Sequence, residues 1–135
     1  MIDELEIFKG KLSLSDIKTE MAKHKPADCP LTHHFADGQY AREVFIPAGT
    51  IALGKKHRAS TINVLLAGKL LIYNGENSDM IEMEAPAVYT TEAGVQKLAY
   101  VIEDVRWLNV IPTDETDVNL IENNVTFPEG LKCLS

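Results

Sequence analysis

The chain has little of several things that would narrow its role quickly. Only two of its 135 residues are cysteines, Cys29 and Cys133, near opposite ends and in no CxxC pair. Small secreted domains that depend on disulfides carry more, so two reduced thiols are expected, and neither a zinc knuckle nor a thioredoxin-like site is indicated. No apolar run approaches the roughly 20 residues that span a bilayer. The start, MIDELEIFKGK, is acidic and lacks an apolar stretch behind a basic residue; it does not read as a secretory signal, and a cytoplasmic protein is expected. Basic charge is also short. Thirteen Lys and Arg against 20 Asp and Glu give a formal net charge of −7. That balance disfavours broad nucleic-acid binding, which needs cations facing phosphates, and docking on anionic membranes. It leaves room for a small anion held by a few focused cations.

Nucleophilic signatures are missing as well. The cysteines flank no histidine in a recognisable pattern, Ser60 lacks the glycines of a nucleophile elbow, and no Gly-rich phosphate loop occurs. Glu82, Glu84, Glu103 and Asp104 read as solvated strand edges and turns rather than a catalytic pair.

What is present is an ordinary globular composition, 45% hydrophobic and 24% charged, in a chain of single-domain length. Ser13–His24 predicts a short helix: Ser13 and Asp16 have capping-box spacing, and Leu14, Ile17 and Met21 recur at helical intervals. The prolines of KPADCP end it. From there to Pro112 the pattern becomes strands over 31–35, 39–46, 61–66, 69–73, 80–84, 88–91, 97–103 and 105–111. Turn residues separate them at Asp37-Gly38, Pro47-Ala48-Gly49, Ala67-Gly68, Asn74-Gly75 and Ala93-Gly94. Eight short strands without intervening helices predict an all-β sandwich or closed barrel. After Pro112, Thr113 or Asp114 predicts the cap of a second short helix with Glu115 and Asp117 in its first turn, followed by an extended tail from Asn123. One domain over 1–135 is expected, with its barrel at about 29–112.

The segment PAGTIALGKKHRASTINVLLAGKL resembles the first motif of the cupin superfamily, which runs from a proline-glycine turn to two histidines one residue apart, a glutamate and a glycine. With Gly49 and Gly68 on the two glycines, Lys55 and His57 take the histidine positions and Thr61 the glutamate position. The second motif, a glycine followed three residues later by a histidine, resembles the run Glu92 to Lys97 and puts Lys97 at the last ligand. THHFADGQYAREVFIPAGT and VIEDVRWLNVIPTDETD are similar to a set of small cupin-like proteins of bacteriophages, over roughly Cys29 to Asn123. The resemblance implies a small jelly-roll barrel. It also implies a phage-encoded accessory protein of the host cytoplasm or, alternatively, a virion component.

The same alignment implies a degenerate metal site. Cupin centres take three histidines and a glutamate, whereas Lys55, His57, Thr61 and Lys97 offer one strong ligand and two ammonium groups that repel a dication. No cofactor is therefore expected. The remaining metal candidates are His33 and His57, with Glu43 as a third ligand. His33 and His34 are adjacent on a strand, so only one of them can face the interior.

Alternation also sorts the strand residues. If Thr61 points inward, so do Asn63 and Leu65, while Ile62, Val64 and Leu66 point out; if Lys97 points inward, Leu98, Tyr100 and Ile102 point out. Apolar outer faces of this kind need cover from the terminal helices or from a second copy, and a homodimer is expected. Trp107 and Asn109 fall on the inner side with Lys55, His57, Asn63 and Lys97, and Tyr40 and Arg42 share a face that could join them. Cations, amides and an aromatic wall suit a small carboxylate, a phosphate or a nucleobase. The function expected is non-enzymatic binding of a small polar or anionic ligand. The alternatives are a cupin enzyme, either with an altered metal set or metal-free with a histidine base, and a phage protein that sequesters a host nucleotide signal or helps assemble the virion.

Overall fold

The strand-forming region from Leu31 to Pro112 is antiparallel throughout, and two of its segments are longer than turn chemistry suggests. The computed structural model describes residues 15, 19, 23, 27–74, 79–127 and 132–134. The predicted helix over 13–24 lies almost wholly outside the described residues, as does the turn at Gly75.

The strands are β1 (Leu31–Ala36), β2 (Gln39–Ile46), β3 (Ile51–Leu53), β4 (Thr61–Asn74), β5 (Ile81–Glu84), β6 (Ala87–Thr91), β7 (Lys97–Pro112) and β8 (Lys132–Leu134), with helix α1 (Val118–Val125) between β7 and β8. Strands β4 and β7 each replace two predicted short strands. Each runs through both halves of the barrel and pairs with the other along its length: β4 also pairs with β6 and then β5, and β7 pairs with β3 and then β2.

Gly68 explains why Ala67-Gly68 is not a hairpin turn. Its φ is +90°, and a Cβ there would collide with the backbone of Glu103 and Asp104 on β7. The glycine instead sits in an irregularity, with register shifts on both sides of Ala67 and again after Lys69. Such bulges bend a strand without ending it. Three-residue β3 has no counterpart among the predicted strands because IAL is too short to show a period, and within the extended tail predicted from Asn123, β8 pairs with β3.

Alternation fills the interior. Leu65, Leu70, Ile72, Val101, Val105 and Trp107 from β4 and β7 pack with Val44 and Ile46 of β2. On the outer face Ile62 is 47% and Val88 69% exposed, and Leu66 and Ile102 are exposed too. Leu98, expected to point outward on a face that needs cover, is 4% exposed, and Ile51 and Leu53 of neighbouring β3 are fully buried, so the outer face is covered at that end of the barrel. The exposed apolar face is therefore smaller than the sequence suggests.

Helix α1 starts later than expected. Asp117 is its cap, accepting from the Asn119 and Leu120 amides. Thr113 accepts from the Glu115 amide, and the Glu115 carboxylate accepts from the amides of Thr116 and Asp117. These side chains close a turn before the helix, so Glu115 and Asp117 lie ahead of the first turn rather than within it. Ile121 anchors α1 on Tyr40 and Ile111. The helix runs past Asn123 to Val125, after which Thr126 bridges to His57 and the Phe127 amide donates to the Lys56 carbonyl. Among the described residues no helix is long and apolar enough to cross a membrane.

Candidate functional site

Strands β2, β4 and β7 and the segment after β3 turn their inner faces toward one cavity of about 60 Å³. Its polar groups come from three places: Arg42 on β2, Lys55 and His57 beyond β3, and Lys97 and Asn109 on β7; Trp107 and apolar side chains complete the wall. Six of the eight sequence-predicted ligand residues thus line one space. Asn63 does not line it but lies directly behind it, with no exposed surface. Tyr40 is placed elsewhere. Its ring is buried under α1 and stacks on His33 and Phe35, and its hydroxyl meets His33 Nδ1 at 2.6 Å.

Asn63 organises the floor. Its Oδ1 accepts from Lys97 Nζ at 3.0 Å and from Asn109 Nδ2 at 2.6 Å. Its own Nδ2 is turned to the wall, donating to Thr91 Oγ1 at 2.6 Å and to the carbonyls of Thr61 and Tyr89. Lys97 Nζ also lies 5.9 Å from the centre of the Trp107 ring, within range of a cation–π contact.

Burial sets the charge states. It lowers Lys97 to about 8, with the Arg42 charge adding to the effect. It also pushes His57 down to about 4, reinforced by the positive charges of Lys97, Arg42 and Lys55, so the imidazole is neutral at pH 7.

Glu122 was not anticipated. Projecting from α1, its carboxylate lies 2.8 Å from Lys55 Nζ and 3.7 Å from Arg42 Nε. Partial burial alone would raise its pKa, but the Lys55 hydrogen bond and the charges of Lys55 and Arg42 outweigh that and hold it below the usual range. Arg42 is 8% exposed, and its Nε makes no hydrogen bond. No local signal points to Glu122, because its partners are far away in sequence. A second space of about 180 Å³ lies across His57, between Arg58–Thr61, Val110–Pro112 and the end of α1.

The donor set does not suit a metal ion. Among the described residues no three His, Cys, Asp or Glu side chains come together as ligands. His33 is engaged with Tyr40 and does not line the cavity of His57. Glu43, considered as a third ligand, is on the opposite face of β2 from Arg42, where it accepts from Arg106 at 2.9 and 3.1 Å and meets His34 at 3.2 Å. The period of two along a strand keeps it from the interior.

No protein-family model and no curated protein matches the sequence. Solved structures do match. Ectoine synthase from P. lautus superposes with a TM-score of 0.61 at 14% identity, over 82% of this chain and 80% of that one. The Schizosaccharomyces pombe Cnp3 cupin domain gives 0.54 at 18% identity over 76% and 70%. An RmlC-like cupin family protein with a double-stranded β-helix fold, from Methanocaldococcus jannaschii, gives 0.51 at 9% identity over 64% and 82%. The fold is that of the cupins. At these identities the likeness extends to the cupin barrel and not to the residues inside it, which here are Arg42, Lys55, His57, Lys97, Trp107 and Asn109.

Proposed function

We propose that this cupin-fold protein is a non-enzymatic binding protein that holds a small anion in its barrel. One observation carries the reading: Arg42, Lys55 and Lys97 converge on a single cavity, and the one carboxylate among the described residues that pairs with any of them, Glu122 of helix α1, reaches only Arg42 and Lys55. Three cations in low dielectric favour an anionic guest strongly. A volume of about 60 Å³ accommodates a handful of water-sized groups, which fits a small carboxylate or phosphate better than a nucleobase. The metal-free enzyme reading has one favourable feature, the neutral His57 imidazole, but among the described residues no carboxylate pairs with that ring to orient it as a base.

Titration calorimetry with oxalate, pyruvate and inorganic phosphate at low salt tests the reading. At least one should bind, and Arg42→Gln should weaken it about tenfold or more, the effect of losing a charge-assisted hydrogen bond. No heat with any of the three anions would refute it.

The resemblance of the sequence to bacteriophage cupin-like proteins supports an accessory role in a host cytoplasm. The exposed apolar face around Ile62 and Val88 supports a homodimer.

A further inference from the structure

Lys97 is only 7% exposed, and among the described residues no carboxylate lies within ion-pair distance of it. Its hydrogen-bond partner among the described residues is a neutral amide oxygen, Asn63 Oδ1, and apolar side chains of the core surround its stem. Such a setting is a poor one for an ammonium and a good one for a free amine. The amine shares the cavity with a neutral imidazole, His57, and with Arg42, whose Nε has no hydrogen-bond partner.

We infer that Lys97 condenses with the carbonyl of a small oxo acid, so that the cavity captures its ligand reversibly as an imine. The inference rests on the anion-binding reading for the acid end: Arg42 and Lys55 receive the carboxylate while the carbonyl carbon meets Lys97 Nζ. The amine lone pair forms the N–C bond, and the carbonyl π pair moves onto oxygen. That oxygen takes up the proton released from nitrogen, giving a carbinolamine. The nitrogen lone pair then expels the hydroxyl, which takes the last proton of the nitrogen and leaves as water, and C=N remains. One water is lost overall, and no oxidant or reductant is needed. His57, neutral and in the same cavity, relays the protons. With its pKa near 8, Lys97 holds roughly two orders of magnitude more free amine at pH 7 than a solvated lysine.

The test is trapping. The protein is incubated at pH 7 with pyruvate and sodium cyanoborohydride, then digested and mapped by mass spectrometry. Acetone serves as a carbonyl without an acid end, and oxalate as an acid that forms no imine. A reduced adduct should form on Lys97 at least about tenfold faster than on Lys69, which is paired with Glu82. Oxalate should protect Lys97, and acetone should react there more slowly than pyruvate. Lys97→Arg, which carries no condensable amine, should show no adduct at the site. Lys97→Met, which removes a buried charge, should fold at least as stably as the parent and also lack the adduct. Uniform labelling of surface lysines with Lys97 untouched, while oxalate still binds, overturns the imine and leaves anion binding intact. Absence of both oxalate binding and adduct overturns both. Equal rates with acetone and pyruvate overturn the oxo-acid class.

Discussion

At the scale of single residues, His57 is the most informative group. It lines the cationic cavity, and burial with three neighbouring positive charges keeps it neutral down to about pH 4, against 6.5 for a free imidazole. Between those values the unfolded chain takes up a proton that the folded one refuses, so folding stability is full above pH 6.5 and is lost as pH falls toward 4. The contribution is on the order of 3 kcal/mol. Denaturant unfolding at pH 7, 5.5 and 4.5 should show this loss, and His57→Gln should remove that part of the slope. Parallel slopes for the two proteins would mean that the imidazole is not desolvated as described. Alternation, anchored by laying Thr61 and Lys97 on the ligand positions of the cupin motifs, places Asn63, Lys97, Trp107 and Asn109 on the inner face. It was not enough to separate Tyr40 from Arg42, two residues apart on the same face of β2, because the difference lies in what sits above them: α1 over Tyr40 and the cavity beside Arg42.

At the scale of elements, the strand pattern was legible because period two survives wherever one face is buried. The breaks in it were not. Gly68 reads locally as a turn, and only the close approach of β7 reveals it as a bulge within one long strand. Helix α1 was visible, but its start was not, since Thr113, Asp114 and Asp117 are all suitable caps in sequence. Nor was its role: Glu122 reaches Lys55 and Arg42 only after the chain has returned across the barrel. An incoming anion must compete with that carboxylate. Glu122→Gln should therefore tighten oxalate or phosphate binding by about fivefold, the equivalent of losing a competitor worth about 1 kcal/mol. Unchanged or weaker affinity would show that Glu122 is not in competition with the ligand.

At the scale of the whole molecule, the apolar outer face divides in two. Around Leu98, Ile51 and Leu53 it is covered; around Ile62 and Val88 it remains exposed on adjoining strands β4 and β6. Sequence patterning could not draw that division, because it reports which way a side chain points and not what lies above it. Replacing Val88 by Asp puts a charge in the middle of the exposed portion. Native mass spectrometry should show a dimer for the parent chain and a monomer for V88D, with the circular dichroism spectrum unchanged. The same mass for both proteins would remove the case for self-association through this face.

The double acceptance by Asn63 bears on selectivity. Its oxygen already has two donors, Lys97 and Asn109, so an arriving hydroxyl finds no vacant lone pair pointing its way there. An alcohol or sugar seated against Asn63, Lys97 and Asn109 would find donors only, and its own hydrogens would have to turn elsewhere. Molecules whose polar atoms only accept, such as the carboxylate and carbonyl oxygens of an oxo acid, meet no such mismatch at this floor.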